Sequence, residues 1–406
     1  MTTSWKLTLA TLTAVCLTGS ATAARVAGQQ GPSEAHTAAE KRCLSREELG
    51  TALEQASAFL EQARYQEAAG MLRPAAEQKC DARASLLLAA ALEGSGNVPG
   101  AEEALRQAQS VWPSNTSIDT SLARLYMAGR QVDKASQALA HFKPAASTPQ
   151  RELELAVVVY LANHELPAAQ AVAEVDYNNH PSAHSLVLLG NTLQLQGRFK
   201  EVIRILGTER KTYAQSPEFL VTLAESEYDS VLYDTARDDL KRAIQLDPNS
   251  YQAHFLLGNV LLKMNDTDAG VAEYRLAAAL KPDQPRTYYQ IAISLEAKND
   301  QAGEESMLEQ ALAVDGHYAP AHAEMGRILL SQNHIADAVT QLNLAIQDNP
   351  SLEQSYFLLA KAYAQLGEKD KSDAMGKRLV AVRNANWRSL NRKDGAQSAG
   401  NSSAVP

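Results

Sequence analysis

Across the second half of this 406-residue chain a proline or glycine closes a block of sequence every 34 residues: Pro248, Pro282, Gly316 and Pro350. Spacing this regular restricts the chain to a serial architecture, one supersecondary unit repeated along its length. The blocks between closers keep small residues in fixed slots. Ala224, Gly258, Ala292 and Gly326 fill one slot, and Ala243, Ala277, Ala311 and Ala345 fill another. Large apolar side chains at Leu240, Tyr274, Leu308 and Leu342 precede the second slot by one turn of helix. Apolar positions in steps of three and four have the period of a helix, so each block reads as two short amphipathic helices that cross at the small slots.

The same register extends in both directions. Copies begin near Leu49, Ala82, Thr116, Pro149, Ala183, Pro217, Tyr251, Pro285, Ala319 and Glu353, ten in all, with the third to fifth the most degenerate. Ala89, Ala123, Ala156 and Gly190 continue the first small slot. Ala101, Ala135 and Ala168 mark the start of the second helix's apolar face. A 34-residue helix-turn-helix unit with these small, aromatic and proline positions resembles the tetratricopeptide repeat (TPR) family. The resemblance implies an all-α fold, a right-handed α-solenoid of about ten TPR-like hairpins, in which stacked hairpins bury a core that none could bury alone.

It also implies a function located on a surface. First helices of successive repeats would line a concave groove, presenting Tyr160, Asn191, Glu225, Tyr228, Phe255, Asn259, Tyr289, Arg327 and Lys361 to protein or peptide segments, with Val157, Gln194 and Ile293 among them. Asparagine amides there can bond a peptide backbone, and aromatic rings offer rigid contact area. The clamp with which some TPR proteins grip a chaperone's terminal carboxylates is not expected. Asn191 and Asn259 match its asparagine, but Val187 and Phe255 replace its first lysine, and Thr222 and Gln290 its next asparagine.

No HExxH, GxSxG, phosphate-cradling loop or CxxC occurs, so neither an enzyme nor a cofactor is expected. The closest histidine pairs, His180 with His184 and His317 with His322, read as solvated surface rather than metal ligands. Adjacent acids at Asp238–Asp239 and Glu304–Glu305 likewise read as water-facing. With a net charge of -9 and 21% charged residues, the chain is too acidic for a general nucleic-acid binder. A basic run, Lys377, Arg378, Arg383, Arg388, Arg392 and Lys393, reads as a solvated cap on the last repeat.

At the amino end, Lys6, the apolar stretch LTLATLTAVCLTGS and Ala21-Thr22-Ala23 have the layout of a secretory signal over residues 1–23. A flexible leader is expected over 24–44, the solenoid over 45–386 and a disordered tail over 387–406. The chain then reads as exported in a bacterium, periplasmic or secreted. Lipidation at Cys16 would anchor it to a membrane, although Val15 and Thr13 fit that signal poorly. Ser45 and Glu48 form a capping box for the first helix. Antiparallel helices bring the entry of the first hairpin beside its exit, so Cys43 and Cys80 read as a disulfide, with two separate buried thiols as the alternative. Such a bond would close a 38-residue loop and contribute about 3–4 kcal/mol. Two roles fit these features: a protein-binding scaffold, or an accessory to envelope or polysaccharide assembly and export.

Overall fold

The computed structural model describes residues 45–401, with side chains described through residue 388. Residues 1–44 and 402–406 lie outside the described range. The signal, the leader, lipidation at Cys16 and the Cys43–Cys80 pairing therefore fall outside it. Cys80 itself follows the first hairpin and is half-buried. Among the described residues the chain forms twenty helices and no strand, the all-α stack of hairpins that the repeats imply.

The helices divide between two compact units, split after Leu195. The first unit holds α1 (Arg46–Glu61) and α2 (Tyr65–Glu77), α3 (Ala82–Gly94) and α4 (Val98–Val111), α5 (Thr116–Ala128) and α6 (Val132–Ala138), α7 (Gln150–Ala162) and α8 (Leu166–Asn179), then α9 (Ala183–Leu195). The second opens with α10 (Phe199–Glu209). It continues with α11 (Pro217–Asp229) and α12 (Tyr233–Leu246), α13 (Tyr251–Lys263) and α14 (Thr267–Leu280), α15 (Pro285–Glu296) and α16 (Gln301–Val314). It ends with α17 (Ala319–Ser331) and α18 (Ile335–Asp348), then α19 (Glu353–Gln365) and α20 (Lys369–Asn401). Within each unit a helix packs on its hairpin partner, and each second helix packs on the first helix of the next hairpin.

Local chemistry explains where the helices begin and end. Ser45 and Glu48 form the reciprocal capping box of α1, and Asp81, Asn115, Ser216 and Ser250 cap later first helices with their side chains. A proline disfavours the helical conformation in the residue before it. Asp247, Lys281 and Asn349, each preceding a closing proline, accordingly leave the helix with φ between -133° and -141°. Asp315 does the same before Gly316, so stacking imposes the turn where proline is missing.

The small slots are the helix crossings. Ala224, Ala292, Ala243, Ala277, Ala311 and Ala345 are fully buried, as are Leu240, Tyr274, Leu308 and Leu342. At Gly258 a Cβ would stand 2.6 Å from the Tyr274 ring, so only glycine admits that ring. In the fourth hairpin the buried alanine equivalent to Ala135 is Ala169, and Ala168, expected at that position, is half-buried. First helices such as α7 and α13 are buried on nearly every side, because they sit between their own partner and the preceding second helix.

Two expectations change. α20 runs as helix to Asn401, through much of the 387–406 segment read as disordered; no proline interrupts it before Pro406. Asp239 and Glu304, read as water-facing, are buried at 8% and 2% exposure. Each is neutralised by an arginine from a neighbouring hairpin, Arg210 and Arg327 respectively, a pairing invisible to a pattern read along one helix.

Candidate partner-binding face

Positions 34 residues apart on first helices share a face. In the second unit one row holds Phe255, Tyr289 and Phe357; the next holds Glu225, Asn259, Arg327 and Lys361. The first helices α11 and α13, and α17 and α19, touch one another directly, so these rows pass from hairpin to hairpin.

Around α13 and α15 the rows gather aromatic rings about one cation. The guanidinium of Arg286 lies 4.7 Å from the centroid of Phe255. Phe255 stacks on Tyr251 at 5.8 Å and tilts against Tyr274 at 5.4 Å. Burial raises the phenols of Tyr228, Tyr251, Tyr274 and Tyr318 above their ordinary value, and the charge of Arg286 opposes the rise at all four. Four tyrosines therefore lie within the field of one half-buried guanidinium. Among the described residues no carboxylate lies within ion-pair distance of it. Beside it, Asn259 accepts a 2.7 Å hydrogen bond from the Tyr274 hydroxyl through Oδ1, which fixes the amide and leaves its NH2 to donate. Tyr289 meets the edge of Tyr318 at 5.8 Å.

Farther along, Arg327 is held by its own chain. It pairs with Glu304, with Glu324 at 2.5 Å and with Glu296 at 3.3 Å, and Gln354 donates to Glu324 at 2.7 Å. Burial pushes the Glu304 carboxyl up, against the pull of Arg327. The three glutamates present oxygens within 4.8 Å of one another, a grouping able to ligate a metal, but the guanidinium already supplies their counter-charge. This network ties α15, α16, α17 and α19 together.

The other residues read as groove-lining have varied surroundings. Phe255 is 7% exposed and belongs to a core cluster with Val271, Tyr274 and Ile291. Tyr228 is half-buried against Tyr233 at 5.8 Å, Glu225 and Asn191 are half-buried, and Lys361 is exposed. Tyr160, in the first unit, is 8% exposed and donates to the Leu139 carbonyl at 3.1 Å. His317 is exposed and faces Asp348, but His322, read as surface, is buried at 6%. Its Nε2 lies 3.0 Å from the Gly316 carbonyl, as that of His254 lies 3.1 Å from Pro248 and the hydroxyl of Tyr356 3.0 Å from Pro350. One repeat position thus supplies a hydrogen bond to three of the four closing turns.

Comparison with known proteins adds the family. Models of the tetratricopeptide repeat match residues 53–116, 221–285 and 353–385. These stretches are tetratricopeptide repeats. Among curated proteins, BBSome complex member BBS4 from Bos taurus is 22% identical over 248 residues, covering 59% of this chain and 47% of that protein. The match therefore spans about half of the relative's length. Among solved structures, a tetratricopeptide repeat protein from Parabacteroides merdae superposes with a TM-score of 0.46 at 13% identity, covering 57% of this chain and 93% of that one. A chain of the APC/C hetero-tetramer Cut9–Hcn1 superposes at 0.39 with 12% identity, covering 84% and 87%.

Two residues of the face are not among the groove positions named from the sequence. Phe357 is 59% exposed and shares the register of Phe255 and Tyr289, so the 34-residue step would have found it. Arg286 gives no such signal: its aromatic surroundings come from three hairpins.

Proposed function

We propose that the chain is an exported scaffold that holds segments of other proteins on the first-helix face of its second unit. Arg286 carries this reading. A guanidinium that is partly desolvated among rings and has no carboxylate partner among the described residues is stabilised when a ligand supplies one. The partner segment accordingly presents an acidic side chain to Arg286, with its backbone within reach of the Asn259 amide and its apolar side chains against the row that ends in Phe357. Tetratricopeptide repeats as a class serve protein association, which agrees with this use of the face.

Site-specific photocrosslinking in the native host tests the reading. Crosslinkers at Gln252 and Lys361, exposed on first helices, should capture the same partner, and one at Lys241, exposed on a second helix, should not. Arg286→Gln should abolish the capture; equal capture from all three positions, or none lost with Arg286→Gln, refutes it. For export, removal of residues 1–23 and a Cys43–Cys80 disulfide are proposed together. The mature chain should begin after Ala23 and show no free thiol until reduced.

A further inference from the structure

The third hairpin departs from the repeat, and a cleft lies beside it. Its second helix, α6, is 7 residues long, against 13 or 14 for α2, α4 and α8. Pro144 bars a helix of that full length. A proline in a helix clashes with the carbonyl four residues back, here that of Ala140, and biases Lys143 out of the helical region. The chain instead leaves the helix at Leu139 and crosses to α7 as irregular structure. An open cleft of about 520 Å³ lies between α6, the segment that follows it and the tips of α7 and α8, within the size range of ligand sites.

Its lining is acidic and aromatic. Phe142 and Tyr160 contribute rings. Both the Ser136 hydroxyl and the Asn163 amide donate to Oε1 of Glu165, which fixes that carboxylate and leaves Oε2 unengaged among the described residues. Asp133 adds a second carboxylate, and no lysine, arginine or histidine lines the cleft. The Tyr160 phenol feels the same field: burial raises it first, then the charges of Glu165 and Asp119.

We infer that this cleft receives the lysine or arginine side chain of a partner segment, its charge at Glu165 and its aliphatic stem against Phe142 and Tyr160. Carboxylate and ring faces favour the same ligand, because a cation is drawn to both. The inference shares with the function proposed above only the premise that partners are protein segments; it uses the other unit of the chain and a separate assay.

Ligand-observed NMR titration of the full-length chain tests it, with acetyl-Gly-Lys-Gly-amide, its arginine and norleucine counterparts, and putrescine. The basic peptides should bind with a Kd of about 1 mM or tighter, at least about tenfold more tightly than the norleucine peptide. Glu165→Gln keeps an acceptor for Ser136 and Asn163 but removes the charge, and should weaken binding about tenfold. Ala140→Leu, at an exposed lining position, should obstruct the cleft while leaving the unfolding midpoint in place. Equal affinity for norleucine, no binding of either basic peptide, or indifference to both substitutions overturns the inference. Tighter binding of putrescine than of the peptides overturns the assignment to a partner's side chain.

Discussion

At the scale of single residues, the tightest constraint is a turn. Each hairpin reverses through a residue with positive φ, at Ala63, Gly96, Arg130, His164, Gly197, Val231, Asn265, Asn299, Asn333 and Gly367, one repeat apart. Asparagine and glycine tolerate this region; a β-branched residue does not. Val231, with φ 67° and 66% exposed, carries the strain without any packing in return. Val231→Asn, the residue present at 265, 299 and 333, should stabilise the chain by about 1 kcal/mol. A thermal melt showing no rise in midpoint would count against the strain. The recurrence of Asn265, Asn299, Asn333 and Gly367 was legible in the sequence, and it marks the turns as plainly as the prolines mark the closers.

At the scale of helices, buried charge joins neighbouring hairpins. Arg210, just past α10, pairs with Glu227 on α11 and with Asp239 on α12. Burial and then the Asp239 charge push the Glu227 carboxyl up to about 7, with Arg210 opposing; Asp239 is raised as well, chiefly by burial. Below the usual carboxylate range both the folded and the unfolded chain hold the Glu227 proton. Between about pH 4.5 and 7 the folded chain retains a proton that the unfolded chain has released, so stability falls as pH rises, and above 7 it levels off. The fall attributable to this group is at most about 3 kcal/mol. Urea midpoints measured from pH 5 to 8 should decline less steeply for Glu227→Gln than for the parent chain. Parallel profiles would show that Glu227 is ionised throughout.

At the scale of the molecule, a stack whose hairpins touch only their neighbours has a stability that is roughly a sum of repeat and interface terms. Deleting residues 285–318, one whole repeat, joins α14 to α17 through an interface of the kind already present. The shortened chain should keep its helicity per residue and lose only part of its stability. Deleting only 285–300 removes one helix and its turn, which reverses the direction of every later hairpin. Circular dichroism should then show a loss of helicity far beyond the residues removed. If both deletions behave alike, the repeats are not independent modules.

What the sequence alone determined is the periodic part: the number of hairpins, the helix-crossing slots and the closing turns, because each depends on residues close together in the chain and repeated ten times. Stacking decided the rest. It buried Asp239 and Glu304 by bringing arginines from other hairpins to them. It set tyrosines from three repeats within the field of Arg286, and it left a cleft between α6 and the tips of α7 and α8. Contacts of that kind join residues from different hairpins, and no pattern along one helix records them.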